Sequence, residues 1–416
     1  MKLRRLHSSL IHQLTTPLGT VVIEGFGSRL AFGIVSFALP LYAVSLGMSL
    51  ASVGLLLSTN TAVSIALKPL IGPLVDRMGV RRAYVIAVAL RTASMLLLVV
   101  SFQPWQLFAV RGLHGVSIAL RDPAAAAVLA GLGGKRAVAR RFAWYQTAKT
   151  VAGSAGRFAA GVLITLLIGN YAWVFVVSAA ISTLPLALIL WRLRGPALAG
   201  LRRPPAVHAA AREAWRRMGS YAGLGFLASG TANFMSNLLP VFAVEYAGLP
   251  AAAAGGIYLV TAVIALSGPV WGWLADRGNT HLVLGMRAVG NIFSSAIWLL
   301  SPTYAGLIAG KTADDLGKAA FRPAWGAMMA DAAERDPRRR AATLSRLSAA
   351  EDLGEATGPI AAGMIWTAWG IPAVLGARIV LAVVTEVYTI FLHRAVSAPA
   401  GSAEGAGIRL QSGEPR

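Results

Sequence analysis

The 416-residue chain contains no cysteine, which excludes disulfides, thiolate metal sites and thiol catalysis. Charged residues are scarce as well, at 13% of the chain, and only 17 residues are acidic. The motifs H-E-x-x-H and G-x-S-x-G do not occur, and the stretch from Gly306 to Thr312 is one residue short of a P-loop and lies inside an apolar segment. The sequence therefore predicts neither an enzyme nor an ATP-driven pump, and it predicts no cofactor and no resident metal.

Apolar residues make up 56% of the chain, and the mean hydropathy is +0.63. A soluble domain cannot bury this much apolar surface, so the chain needs lipid as its solvent. Segments that cross the roughly 30 Å hydrocarbon core must be helices here, because lipid offers no partner to unpaired backbone groups. Twelve stretches have the required length, at about 18–45, 51–74, 83–101, 105–129, 143–168, 171–191, 219–245, 252–275, 281–300, 303–330, 345–368 and 372–392. The expected fold class is an all-α integral membrane protein with twelve transmembrane helices.

Basic residues are distributed unevenly between the loops, although the net charge is +21. The connections SLGMSL, QPW, GNY and WGIP contain no Lys or Arg. The N-terminus and three of the opposite loops contain the basic clusters Lys2, Arg4 and Arg5; Arg77, Arg81 and Arg82; Lys135, Arg136, Arg140 and Arg141; and Arg338, Arg339 and Arg340. By the positive-inside tendency, both termini are expected in the cytoplasm, and we expect a bacterial inner membrane. No basic folded domain is present, so no nucleic-acid partner is expected.

The chain repeats itself at an interval of about half its length. Gly72, Leu74, Asp76 and Arg77 return as Gly272, Leu274, Asp276 and Arg277, each 200 residues later. The segment LPLYAV at 39–44 is repeated as LPVFAV at 239–244, and the segment GRFAAG at 156–161 is repeated as GPIAAG at 358–363. Such a long internal repeat indicates two similar halves, an organisation common among secondary transporters.

This repeat predicts five regions in the chain. Residues 1–17 form a cytoplasmic N-terminus, 18–191 the first six-helix half, and 219–394 the second. A basic cytoplasmic linker occupies 192–218, and residues 395–416 form a tail rich in Ala, Gly, Ser and Pro that we expect to be disordered.

The segment Gly72-x-Leu74-x-Asp76-Arg77-x-Gly79-x-Arg81-Arg82 resembles the signature loop between helices 2 and 3 of the major facilitator superfamily. The resemblance implies twelve helices in two pseudo-symmetric halves and transport of a small solute by alternating access. Its second copy departs from the pattern after Arg277, where Asn279, Thr280 and His281 stand in the stretch that contains the basic residues in the first copy. The implied partners are the solute, protons and membrane lipid.

The resemblance also implies a conformational latch at this loop. Asp76 would interact with the N-terminus of helix 11, where the helix dipole favours an anion, and Arg77 has a plausible carboxylate partner in Asp122. The alternative is a static helix cap that fixes topology. The candidate latch residues are Gly72, Asp76, Arg77, Gly79, Arg81, Arg82, Asp122, Asp276 and Arg277.

Helix 10 contains more charge than a lipid-facing helix tolerates, namely Lys311, Asp314, Asp315, Lys318 and Arg322. A charge at a helix centre costs roughly 2.5–3.5 kcal/mol on insertion scales, so this helix must face water or charged partners. The i,i+4 spacing pairs Lys311 with Asp315 and Asp314 with Lys318. Two interpretations stay open for Asp314, Asp315 and Glu355 of helix 11, namely proton coupling and a structural ion-pair network. For Glu351 and Asp352 the structural interpretation is favoured.

Helices 1 and 4 offer a second candidate site for coupling or for the substrate. Arg111 begins an R-x-x-x-G motif that resembles a proton-linked motif of helix 4 in the superfamily, and Glu24 would be its counter-ion. Arg29 and His114 complete the candidates, although a single His is more often a hydrogen-bonded structural group than a titrating one.

A glycine motif on helix 11 predicts a helix bend and close packing. Gly354, Gly358 and Pro359 resemble the Gly-Pro motif that antiporters of the superfamily have on helix 5, so their place on helix 11 supports antiport only weakly.

The function implied by these observations is secondary active transport of a small solute, with proton-coupled export by antiport favoured and a proton gradient as the energy source. The alternatives are proton-coupled uptake, transport of a hard metal cation such as iron bound by oxygen ligands, and a membrane sensor or assembly factor that transports nothing.

Overall fold

The first half of the chain forms six helices. The computed structural model describes residues 17–131, 138–192, 212–274, 277, 280–334 and 340–397. The helices of the first half are α1 (Pro17–Ser45), α2 (Leu50–Met78), α3 (Val80–Val99), α4 (Pro104–Gly131), α5 (Val138–Leu166) and α6 (Tyr171–Arg192). The connections at 46–49, 79, 100–103 and 167–170 are short, as expected of neighbouring antiparallel spans.

The second half has the same number of spans, but two of them are interrupted. Span α7 consists of Arg212–Ser236, Leu239–Val241 and a π-helix at Phe242–Tyr246. Span α8 consists of Ala251–Gly256, Leu259–Ile264, a 3₁₀ turn at Ala265–Ser267, and Gly268–Leu274. The remaining spans are α9 (Thr280–Leu300), α10 (Tyr304–Glu334) and the segment Arg340–Ser397. That segment divides at Gly370, whose φ of 76° is not helical, into α11 at 340–369 and α12 at 371–397. The all-helical fold in two halves that the sequence predicts is confirmed.

Hydropathy alone accounts for seven of these twelve spans. Within the described residues, six helical stretches are long and apolar enough to cross a membrane, at 19–45, 50–71, 80–99, 171–192, 283–300 and 346–392. The last of these contains both α11 and α12. The spans that fall short include α10, whose charged residues need a polar surrounding. The structure provides that surrounding between the two halves.

The two halves share one apolar core at the end of the bundle where α1 joins α2. This core contains Phe37 and Leu41 of the first half together with Leu238 and Phe242 of the second. Backbones approach closely here, since a methyl group built on Gly54 of α2 would lie 2.2 Å from the carbonyl oxygen of Pro359. One built on Gly161 of α5 would lie 2.2 Å from the carbonyl oxygen of Ala251. This end, which we call the closed end, is therefore sealed by the pairs α2–α11 and α5–α8.

At the opposite end each half has a core of its own. One cluster contains Val75, Tyr84 and Ala124 of the first half, and a separate cluster contains Leu224 and Leu347 of the second. We call this the open end, because no apolar cluster of the described residues joins the halves there. A single-residue turn at Gly79, with φ of 82°, connects α2 to α3 at this end.

Candidate functional site

A cavity of about 620 Å³ lies between the two halves. It extends from Leu39 and Asn237, near the closed end, to Asp122 and Arg322 at the open end. Eleven Lys and Arg side chains line it, against the five carboxylates of Asp122, Asp315, Glu351, Asp352 and Glu355. The cavity therefore has an excess of positive charge.

Asp314 of α10 is the centre of a buried ion-pair network. Its carboxylate accepts hydrogen bonds from Arg378 Nη2 at 2.6 Å, Lys318 Nζ at 2.6 Å and Arg287 Nη1 at 3.3 Å. Arg378, fully buried on α12, also donates to Asn291 Oδ1 at 2.9 Å. Asp314 does not line the cavity, so its surroundings favour the structural interpretation.

Asp315, the next residue, faces the cavity instead. Its carboxylate pairs with Lys311 and accepts a hydrogen bond from the hydroxyl of Thr261 on α8, while Lys318 Nζ lies 3.9 Å away. Both i,i+4 pairs expected from the spacing on helix 10 are therefore present in the structure. Asp315 has fewer cationic partners than Asp314 and, unlike Asp314, lines the cavity.

Glu24 of α1 is fully buried and pairs with Arg121, not with Arg111. Arg121 Nη2 donates to Glu24 Oε2 at 2.8 Å, Ser28 donates to Oε1 at 2.6 Å, and the hydroxyl of Tyr84 also donates to the carboxylate. The expected pair of Glu24 with Arg111 is wrong. Arg121 lies ten residues beyond Arg111 on α4, at the depth of Glu24, and sequence spacing does not fix helix depth between separate helices.

Arg111 binds to α2 instead. Its Nη2 donates to the carbonyl oxygen of Leu57 at 2.7 Å and to the side chain of Asn60. His114 is buried beside Phe32, with ring centroids 4.8 Å apart, and its Nε2 has no hydrogen-bond partner within the described part of the chain. These contacts hold Arg111 against α2, and both Arg111 and His114 line the cavity.

Glu355 of α11 is exposed to the cavity and makes no ion pair with any described residue. It interacts electrostatically with Arg29 and Arg111 across the cavity. Asp352, three residues earlier on α11, pairs with Lys68 of α2. This ion pair joins the two halves near the open end. Glu351 and Arg322 also line this part of the cavity.

The candidate latch residues do not assemble in the way the sequence suggested. Arg77, Arg81 and Arg82 are exposed, and Arg77 makes no ion pair with the described residues. Asp122, 60% exposed, pairs at 3.8 Å with Arg121, so the expected pair of Arg77 with Asp122 is wrong. This difference follows from the open state of this end, where the loop is not held against α4.

Three latch positions cannot be described in full. Asp276 lies outside the described residues, and so do the surroundings of Gly72 and the side chain of Asp76. In the second copy of the motif, Arg277 stacks on the ring of Trp273, with its guanidinium carbon 3.5 Å from the ring centroid.

The glycine motif of α11 lies against α7. A methyl group built on Gly354 would lie 2.2 Å from the carbonyl oxygen of Phe226, and one built on Gly358 would lie 2.6 Å from that of Gly230. The backbone keeps helical angles through Pro359. These glycines therefore allow close contact between α7 and α11.

Sequence reasoning missed several cavity residues. Arg157 and Lys149 of α5, Tyr258 of α8 and Arg121 of α4 all line the cavity. The sequence did contain a signal for Arg157, because it is the single charge in the apolar stretch GSAGRFAAG. A charge inside a membrane span is costly to insert, which makes such a residue a functional candidate. Tyr258 had no such signal, because an aromatic residue in a span is ordinary.

The described residues contain no group of three or more His, Asp or Glu side chains placed to hold a metal ion. A cavity with excess positive charge also repels cations. These two observations give the hard-metal alternative no site in the described part of the chain.

The chain matches the Major Facilitator Superfamily over residues 21–312 and 261–412. No curated protein matches the sequence. Among solved structures, the nucleoside transporter NupG has a TM-score of 0.73 at 15% identity, over 92% of this chain and 100% of that one. A peptide transporter POT in complex with sulfate has a TM-score of 0.71 at 15% identity, over 91% and 95% of the two chains. Tetrameric PepTSo2 has a TM-score of 0.69 at 13% identity, over 91% and 97%. Identities this low indicate a shared fold and leave the solute open.

Proposed function

Because the chain belongs to the Major Facilitator Superfamily and is a membrane-embedded transporter, we propose that it exports a small anionic solute in exchange for protons. The observation that carries this proposal is the cavity between the halves, sealed at one end and lined by both halves. Alternating access needs such a site, with a closed end and an open end that exchange roles. No enzymatic activity is involved.

The charge of the cavity favours an anion as the solute. Eleven cationic side chains against five carboxylates attract anions and repel cations. Several of these cations, such as Lys311, already have carboxylate partners, but Arg29 and Arg157 have none among the described residues. The solute is the natural source of the missing negative charge.

Asp315 and Glu355 are the proposed proton carriers. Both face the cavity, so both exchange protons with its water. Asp314 and Glu24 are excluded from this role because neither carboxylate lines the cavity. Asp314 pairs with Arg287, Lys318 and Arg378, and Glu24 pairs with Arg121.

The energetics of an inside-negative membrane, such as the bacterial inner membrane expected here, support antiport. An inside-negative potential drives an anion outwards and a proton inwards, with about 2.3 kcal/mol per charge for each 100 mV. Both movements of the proposed exchange are therefore favourable. The positive-inside tendency of the basic loops supports a cytoplasmic open end, from which an exported solute would enter.

Uptake by proton symport is the competing direction, and reconstituted protein distinguishes the two. Liposomes with purified protein and a pH-sensitive dye inside are given an inward gradient of each organic anion from a panel. Antiport predicts that anion entry makes the lumen more alkaline, and symport predicts acidification. Absence of anion-dependent proton movement with every transported solute would contradict proton coupling.

Two variants locate the coupling step. Asp315→Asn and Glu355→Gln are expected to keep anion exchange across the membrane and to lose the associated proton movement. The matched control is Glu245→Gln, which alters an exposed carboxylate beyond the cavity. Full proton coupling in both cavity variants would remove these residues from the mechanism.

A further inference from the structure

Two arginines of the first half lie beside the same residue of the cavity wall. Arg29 of α1 and Arg157 of α5 both lie beside Gly153. A methyl group built on Gly153 would lie 3.4 Å from Nε of Arg29 and 3.9 Å from Nη1 of Arg157. The absence of a side chain at Gly153 leaves room for both guanidinium groups against the same turn of α5.

Neither arginine has a carboxylate or a hydrogen-bond acceptor among the described residues. Their contacts are with aromatic rings: Arg29 lies 5.1 Å from the ring centroid of Phe32, and Arg157 lies 5.1 Å from that of Tyr258. Two guanidinium groups so close together repel each other, and keeping them out of bulk water adds to the cost. The buried Glu24, Asp314 and Arg378, in contrast, each have an oppositely charged partner that offsets this cost.

The second half adds a hydrogen-bond donor at the same place. Tyr258 of α8 lines the cavity and is 4% exposed, and its hydroxyl has no partner within the described part of the chain. A buried hydroxyl without a partner is unusual in a native structure and points to a missing ligand. Nζ of Lys311 lies 5.8 Å from the centroid of the same Tyr258 ring.

We infer that Arg29, Arg157 and the hydroxyl of Tyr258 bind the anionic group of the transported solute, a carboxylate or a phosphate monoester. This inference rests on the proposed function and identifies the class of solute. The guanidinium groups present planar N–H donors that match the oxygens of either group, and the tyrosine hydroxyl supplies one more donor. A solute bound here touches both halves, so its negative charge draws α1 and α5 towards α8.

The ring of Phe32 beside Arg29 and the ring of Phe321 on α10 provide apolar surface in the same cavity. The rest of the solute therefore includes an apolar or aromatic part. Paired compounds that differ only in charge test this recognition directly, and benzoate with benzamide is the simplest pair. Phenyl phosphate replaces the carboxylate with a phosphate on the same ring.

The experiment measures thermal stabilisation of detergent-purified full-length protein by benzoate, benzamide and phenyl phosphate at constant ionic strength. Wild-type protein is expected to be stabilised by one or both anions and not by benzamide. Arg29→Gln and Arg157→Gln are each expected to weaken the apparent affinity by ~10- to 100-fold, as for loss of a charge-assisted hydrogen bond. Tyr258→Phe, which keeps the ring, is expected to weaken it by about 10-fold or less.

Controls separate recognition from folding. Arg29→Lys and Arg157→Lys keep the charge and lose the paired donors, so they report on the site even if the Gln variants do not fold. Arg192→Gln removes a charge from the end of α6, outside the cavity, and is expected to bind as the wild type does. Selectivity between benzoate and phenyl phosphate identifies the group that the site prefers.

Two results would overturn the inference. One is equal stabilisation of wild type and all arginine variants by the anions, which would move the anion site elsewhere. The other is failure of both anions to stabilise wild-type protein. The same preparations reconstituted in liposomes keep the proposed function separate, because exchange of an organic anion for protons by wild type supports it whatever the fate of the arginine site.

Discussion

Thr165 and Thr367 make the same pair of hydrogen bonds in the two halves. Each hydroxyl donates within its own helix, to Gly161 O at 3.0 Å and to Gly363 O at 2.9 Å, respectively. Each also accepts a backbone N–H from the opposite half, Ala252 at 3.1 Å and Ala51 at 2.9 Å. The two threonines are 202 residues apart, as are the segments GRFAAG and GPIAAG. The repeat therefore gives the closed end two equivalent hydrogen bonds between the halves, Ala252 N–H to Thr165 and Ala51 N–H to Thr367, which we call the clasps.

Removing both hydroxyls is expected to open this end more often. Thr165→Val with Thr367→Val leaves the two N–H groups without a protein acceptor when closed, at a cost of about 1 kcal/mol each. The native chain lacks cysteine, so Ser36→Cys in the cavity serves as the only thiol. A membrane-impermeant thiol reagent added at the closed end should label it several-fold faster in the double variant.

The control for the clasps is Thr183→Val. The hydroxyl of Thr183 is exposed and donates only to Ala180 O of its own helix, at 2.7 Å. Labelling of Ser36→Cys should be unchanged in this background. Equal labelling rates in wild type and the clasp double variant would show that the threonines do not hold the end closed.

Asp314 and Asp315 are expected to respond differently to the same substitution. Asp314→Asn leaves Arg378 and Arg287 as buried cations without their anion, so a loss of about 3–5 kcal/mol in folding free energy is expected. Asp315→Asn leaves mainly Lys311, which lines the cavity and still has the carboxylate of Asp314 at 4.0 Å. Thermal denaturation in detergent should therefore show a much lower midpoint for the first variant, and equal midpoints would contradict the structural role of Asp314.

The sequence was informative about helix 10 for a physical reason. Residues four apart on one helix meet whatever surrounds them, so the pairs Lys311–Asp315 and Asp314–Lys318 were predictable from spacing. Arg378 and Arg287 come from α12 and α9, and only tertiary packing brings them to Asp314. The same limit explains the wrong partner expected for Glu24.

The number of spans and the two halves were predictable because hydrophobic length and the internal repeat are properties of the chain alone. The interruptions of α7 and α8 were not. The sequence 251–256 is AAAAGG, and its close contact with α5 through Gly161 depends on the opposite half. The hydropathy of a segment is the same whether its helix is regular or interrupted, so it does not predict the interruption.

Glu24→Gln is expected to destabilise the first half without selectively uncoupling protons from solute. The substitution removes the charge that Arg121 and Tyr84 bind, and it leaves Arg121 as a buried cation. A double-mutant cycle with Arg121→Gln should give a coupling energy of about 0.5–3 kcal/mol in thermal or denaturant unfolding. A stable Glu24→Gln protein that transports solute without protons would restore Glu24 to the coupling mechanism.

Close backbone contact between α2 and α11 is expected to be essential for closure, and two glycines of the first half provide a matched test. A methyl group on Gly54 would lie 2.2 Å from the backbone carbonyl of Pro359, which cannot move away as a flexible side chain would, whereas one on Gly112 meets nothing within 4 Å. Gly54→Ala must therefore separate the halves at the closed end, while Gly112→Ala should slightly favour its helix, where alanine is preferred by about 1 kcal/mol. Thiol labelling of Ser36→Cys from the closed end should rise in the first variant and stay at the wild-type rate in the second. If Gly54→Ala labels at the wild-type rate and transports normally, α2 and α11 do not need this contact to close the cavity.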